Sequence, residues 1–155
     1  MKSKFRCAVH LILINENKIL VQKRKGTKLW PGYYGLPAGH IEISENQYEA
    51  LIREVKEELG IEIKIKDIIN SYVVFRRNFF EVDSKKMEPY IDYYFEIKKY
   101  IGFPKIMESN KCDELIWCNL DNLASPFINY QGAFLENKFI TTYDCLLQDS
   151  YQKVN

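Results

Sequence analysis

Residues 44–60, SENQYEALIREVKEELG, constrain the chain more than any other stretch, because they specify a helix and the direction its charges point. Ser44 and Gln47 have the spacing of a capping box, in which two side chains satisfy backbone N–H groups at a helix start. Gly60 supplies a stop, since glycine takes the left-handed conformation that closes many helices. Between them Tyr48, Leu51, Ile52, Val55 and Leu59 recur at helical spacing and predict one apolar stripe facing a core. Glu54, Glu57 and Glu58 then fall together on a second face beside that stripe.

Such a face is unfavourable by itself. Like charges at i,i+3 and i,i+4 each cost about 0.2–0.5 kcal/mol, and anions in the last turn oppose the helix dipole at about 0.3–1 kcal/mol. A solvated face, with Glu49–Arg53 and Arg53–Glu57 as i,i+4 pairs, accounts for Glu49 and Arg53 but leaves Glu54 and Glu58 without a local partner. A hard divalent cation held by carboxylates and substrate phosphates accounts for them too. Charge geometry alone leaves both readings open.

The wider spacing tips the balance. From Gly39 there are five residues, Glu45, seven residues, and then Arg53-Glu54-Val55-Lys56-Glu57-Glu58-Leu59-Gly60-Ile61. This resembles the Nudix box, G-x5-E-x7-R-E-U-x-E-E-x-G-U with U aliphatic, at every fixed position of residues 39–61. The resemblance implies a loop, helix and loop in which Glu54, Glu57 and Glu58, with the Gly39 carbonyl, ligate Mg2+ or Mn2+. It implies that Arg53 orients the carboxylates and that Glu45 and Gly60 are structural. The reaction implied is hydrolysis of a nucleoside diphosphate linked to a group X, with Glu54 and Glu57 central to catalysis.

Composition agrees without deciding. The length of 155 residues suits one domain over residues 1–155, and 46% hydrophobic residues supply a core. A net charge of +1 gives no global field for nucleic acid or membrane, so stable nucleic-acid binding is not expected, and the partner that the resemblance implies is a small-molecule nucleotide. Cys7, Cys112, Cys118 and Cys145 show no C-x-x-C pairing and read as reduced thiols of a cytoplasmic protein. The apolar run AVHLILI is too short for a membrane span and contains His10, so it reads as a buried strand. The chain is compatible with a homodimer.

Along the chain, RCAVHLILI and KILVQKR flank the hairpin signal NEN, and GTKLWPGYYGLPAGH reads as a loop with a short strand. IEIKIKDI, NSYVVFRRNFFEV, PYIDYYFEIKK and DELIWCNL read as strands, with DSKKME as a turn. A last helix is expected from near Pro126, carrying Phe127, Tyr130, Phe134, Leu135, Phe139 and Leu146. The expectation is an α+β Nudix fold, an α/β/α sandwich with a mixed sheet between helices.

Outside the box, LWPGYYGLPAGH resembles the family's approach to it, and Trp30, Tyr34 and His40 are the expected substrate contacts there. Arg24, within Lys23-Arg24-Lys25, is the expected cation facing the substrate. KCDELIWCNLDNL resembles a late family segment in which two glutamates precede the tryptophan. Glu114 fits the second, while Lys111 stands where the first often sits; of Glu108, Asp113 and Glu114, Glu114 is the expected catalytic base or additional metal ligand that the resemblance implies. Asp92, in an alternating strand, is a further candidate. Residues 75 to 78, where some subfamilies carry a substrate-marking proline or tyrosine, show neither. The expected activity is that of a MutT-like nucleoside triphosphate pyrophosphohydrolase. Enzymes acting on ADP-ribose, a nucleotide sugar or capped RNA are the alternative, and a non-catalytic nucleotide sensor is the alternative of another class.

Overall fold

The computed structural model describes residues 4–76 and 89–137. The DSKKME turn, Arg77, Phe79, Phe80, Phe139, Cys145 and Leu146 lie outside the described residues.

The apolar run near the N-terminus is a central strand, β1 (Arg6–Asn15), covered on both faces. Strand side chains alternate, so Val9, Leu11 and Leu13 face one cluster and Ile12 faces the other. Helix α1 (Gln47–Leu59) closes the first cluster with Ala50, Leu51, Val55 and Leu59. Helix α2 (Asn129–Leu135) closes the second with Phe134 and Leu135. Each such buried side chain stabilises the fold by about 1.5–3 kcal/mol relative to exposure. The α/β/α sandwich expected from the sequence is therefore the architecture found.

Between the helices lies a seven-stranded mixed sheet. Strand β2 (Lys18–Arg24) follows β1 through a tight turn at Glu16 and Asn17 and pairs with β3 (Tyr34–Gly35) and β7 (Cys112–Asn119). Strand β6 (Tyr90–Ile97) runs parallel to β1 and antiparallel to the edge strand β5 (Ile68–Arg76). The pairing of β1 with β2 covers only Ile14 and Asn15, whereas Ala8, Val9 and His10 pair with β4 (Ala38–His40). Strand β2 thus diverges from β1, and β4 takes its place. A cleft opens between them, and the box helix follows directly from β4.

Three local expectations are corrected. The capping box is Asn46 with Glu49: Asn46 Oδ1 accepts from the Tyr48 and Glu49 N–H groups, and Glu49 Oε2 accepts from the Asn46 N–H at 2.8 Å. Ser44 belongs to the preceding turn. The stretch IEIKIKDI bridges at Glu62 with Ile101, makes a 3-10 turn at Ile65–Asp67 and enters β5 only at Ile68, so its alternation reports burial of Ile61 and Ile63 rather than a ladder of its own. The last helix begins at Asn129, not Pro126, because the backbone of residues 126–128 bonds to both sides of Tyr34. No helix among the described residues is long and apolar enough to cross a membrane.

Asn46→Ala is expected to cost about 1 kcal/mol, a fall of roughly 2–4 °C in melting temperature, while Ser44→Ala stays within half a degree or so. Thermal denaturation of the two variants checks this, and the reverse order would return the cap to Ser44.

Candidate active site

The cleft between β2 and β4 opens into a cavity of about 580 Å³, within the size range of small-molecule sites. Glu54 and Glu58 of α1, Gly39 and His40 of β4, Gln22 and Arg24 of β2, and Trp30 of the intervening loop all line it. The structure therefore brings together six residues expected from the sequence, with Gln22 as an addition. Trp30 takes a positive φ of 58° and stacks edge-on against Tyr33 at 5.1 Å, which fixes its ring at the cavity.

Arg53 organises the helix face. Its Nε and Nη2 donate to the two oxygens of Glu45 at 3.0 and 2.6 Å, its Nη1 donates to Glu54 at 2.7 Å and Glu57 at 3.2 Å, and Nη2 also reaches the His40 carbonyl at 3.0 Å. The guanidinium holds the Glu45 carboxyl below its ordinary range. These contacts tie the loop before the helix and the end of β4 to the charged face of α1. Glu54 has a local cation after all, in the neighbouring Arg53. Glu49 is engaged in the cap instead.

The two inward carboxylates are strained electrostatically. Burial raises the pKa of Glu54, with Arg53 opposing it. Glu58 is pushed up to about 8, first by burial and then by the charge of Glu54. Its Oε2 accepts only neutral donors, Gln22 Nε2 at 3.3 Å and the Ala38 N–H at 3.2 Å. Gly39 allows the approach of Glu54 to β4: a Cβ at Gly39 would sit 1.9 Å from the Glu54 carboxyl carbon. Gly60 closes the helix at a φ of 68°.

Other expected groups sit elsewhere. Glu57 is 53% exposed, does not line the cavity and is turned to Arg53. No cluster of three metal-binding side chains occurs among the described residues. Glu114 and Tyr34 do not line the cavity; the Tyr34 hydroxyl donates to Glu114 at 2.7 Å in an exposed contact. Lys23 completes that exposed trio at 3.0 Å from Glu114. Asp92 is fully buried, 2.6 Å from Arg76 and 3.1 Å from His10, and those partners hold it ionised against the cost of burial.

That ion pair belongs to a polar wall the sequence reading did not identify. The Arg76 guanidinium lies between the rings of Tyr90 and Tyr130, at 4.1 and 3.9 Å. His10 stacks on Tyr94, and Gln131 bridges His10 to the Leu36 N–H. A histidine and an aspartate inside apolar strand runs were the signal, since buried polar groups need partners. His40 shares a contact with Tyr90 at 3.3 Å; although the residue reaches solvent, ring burial and then the nearby charges of Arg6 and Arg76 hold its pKa below the usual histidine value.

The NUDIX domain family model matches residues 4–138. An ADP-ribose pyrophosphatase of Methanocaldococcus jannaschii is 42% identical over 65 residues, covering 42% of this chain and 38% of that protein. A CTP pyrophosphohydrolase of Escherichia coli is 34% identical over 64 residues, covering 41% and 47%. The chain thus spans less than half the length of these curated relatives. The crystal structure of a MutT Nudix hydrolase from Burkholderia pseudomallei shares the fold at a TM-score of 0.71 and 24% identity, over 88% of this chain and 99% of that one. With the family model spanning most of its length and the box helix facing the cleft, the chain belongs to the Nudix family.

Proposed function

We propose that this chain is a divalent-metal-dependent hydrolase of nucleoside diphosphates linked to a group X, acting as one domain. The observation that carries the reading is the Glu54–Glu58 pair, two carboxylates facing one cavity, with the pKa of Glu58 pushed up to about 8 by burial and the charge of Glu54, and its carboxyl hydrogen-bonded by the neutral donors Gln22 and the Ala38 N–H. A protein does not keep such a pair for stability, because each added charge there costs free energy.

The donor set fits a hard divalent ion in kind. The oxygens of Glu54 and Glu58, with the Gly39 carbonyl on the adjoining strand, are the residues that would hold it. Mg2+ commonly takes only one or two protein carboxylates and completes its shell with substrate phosphates and water, so a dedicated three-residue cage is not required. Bound there, such ions supply polarisation of phosphoryl oxygens, a more acidic water and neutralisation of transition-state charge. Arg53 sets the rotamers of Glu54 and Glu57 through its fork. Glu57, the member turned outward, exchanges Arg53 for the cavity when substrate arrives. Arg24 faces the anhydride, and Trp30 offers a ring to a base or sugar.

For the substrate, a MutT-like nucleoside triphosphate is our preferred reading, giving a nucleoside monophosphate and pyrophosphate. The similarity to an ADP-ribose pyrophosphatase supports a second reading, a nucleoside diphosphate sugar. The polar wall of His10, Arg76 and Gln131 can serve either. A panel of nucleoside triphosphates, oxidised purine triphosphates, ADP-ribose, nucleotide sugars and dinucleoside polyphosphates separates them. Pyrophosphate release is expected with Mg2+ and is lost by at least about a hundredfold in Glu57→Gln. Nucleotide binding with no turnover of any substrate would instead favour a sensor.

Gly39→Ala tests the close approach of Glu54 to β4. The overlap falls on the end of a flexible side chain, so little stability is lost but the carboxylate must move. An activity loss of roughly tenfold to a hundredfold with a melting temperature within a few degrees of wild type is expected. Full activity would mean that the position of Glu54 is immaterial.

A further inference from the structure

Lys111 takes no part in the mechanism above, although it lines the same cavity as Glu54 and Glu58. Its place is built. The Lys111 N–H donates to the Glu108 carbonyl at 2.9 Å, and its own carbonyl accepts from the Lys25 N–H at 2.8 Å. Gly26, at a φ of +61°, packs on the same turn so closely that a Cβ would come within 2.7 Å of the Asn110 carbonyl oxygen. The 108–111 turn and the segment carrying Arg24, Lys28 and Trp30 are therefore one unit. The Lys111 ammonium rests on Glu108 at 2.8 Å, an exposed pair of the kind that exchanges readily.

A diphosphate entering this cavity meets two carboxylates, and its charge must be balanced by groups of the protein as well as by metal. Four cations line the cavity among the described residues: Arg24, Lys28, Arg76 and Lys111. Arg76 is paired with Asp92, and Arg24, whose Nε donates to the Leu29 carbonyl at 3.1 Å, keeps its remaining guanidinium donors for the anhydride beside Lys111. Lys111 lines the cavity together with Glu54 and Glu58, and its ammonium is held by the exposed Glu108 carboxylate, so an anhydride bridging to the two inward carboxylates lies in the space it borders. An acid at this position would have added a third negative group to the cavity.

We propose that Lys111 is a phosphate-binding residue, its ammonium leaving Glu108 to contact the diphosphate of the substrate. The proposal rests on reading the cavity as a diphosphate site. A compact ammonium with three donors suits a tetrahedral phosphate from any direction.

The test uses inorganic pyrophosphate, binding to the full chain in EDTA, together with KM for whichever substrate of the panel is hydrolysed. Lys111→Ala should weaken pyrophosphate binding by about tenfold and raise KM by a similar factor, with kcat changed less. Lys111→Arg should retain most of the affinity, and Lys111→Glu should lose more than Lys111→Ala. Unchanged pyrophosphate affinity with unchanged KM in Lys111→Ala overturns the proposal. So does a loss that comes with a lowered melting temperature and no rescue by arginine, which makes Lys111 structural. A panel without turnover overturns the hydrolase reading itself, whereas turnover that ignores Lys111 overturns only this one.

Discussion

A single guanidinium, that of Arg53, ties Glu45, Glu54, Glu57 and the His40 carbonyl together, and the charged side of the molecule is organised around it. Only a rigid fork of donors can serve four acceptors from the loop, the strand and the helix at once; a lysine ammonium at this position would hold fewer of them in fixed directions. The contacts pin the box loop to α1 and fix the direction of Glu54. They stop short of Glu58, one turn on, which faces the same cavity with neutral partners only. The cost of the helix face is thus compensated in part by Arg53 and left to neutral donors at Glu58.

The sheet supplies the room. Because β1 changes partner from β2 to β4 along its length, the strand ends diverge just where α1 presents its carboxylates. The opposite wall is held by polar groups that satisfy each other: Asp92 between Arg76 and His10, with Tyr90, Tyr130 and Gln131 closing around them. A buried carboxylate is tolerable only with such company, and the company keeps Asp92 out of the chemistry. Asp92 therefore has its charge met inside the fold, whereas Glu58 is met by neutral donors alone.

Much of this was legible in the sequence. The apolar stripe of α1, the alternation of β1 and the spacing of the box follow from side-chain periodicity, which is a local property. The box also specified Arg53 and Glu45, whose contact is short range. What the sequence did not disclose depends on which strands meet. Glu114 sits on a strand whose register with β2 turns it to Lys23 and Tyr34, and nothing in a linear pattern distinguishes the two sides of β7. The helix cap shifted from Ser44 to Asn46 because two candidates with a partner three residues on stood within one turn, and local spacing cannot rank them. Gln22 and Gln131 were silent, since a glutamine announces a site only after its neighbours are known.

The central claim is that Glu58 is kept charged by a bound cation and is otherwise a burden on the fold. Its folded pKa near 8 lies above the ordinary carboxylate value, so the folded state binds the extra proton, and its stabilisation is lost as pH rises through that range. The decisive measurement is thermal stability of wild type and Glu58→Gln in EDTA from pH 5 to pH 9, repeated with Mg2+. The account predicts that wild type loses stability relative to Glu58→Gln as pH rises towards 8, and that Mg2+ restores it in wild type alone. A Glu58→Gln protein less stable than wild type at pH 8 in EDTA, or stabilised by Mg2+ to the same degree, would contradict it.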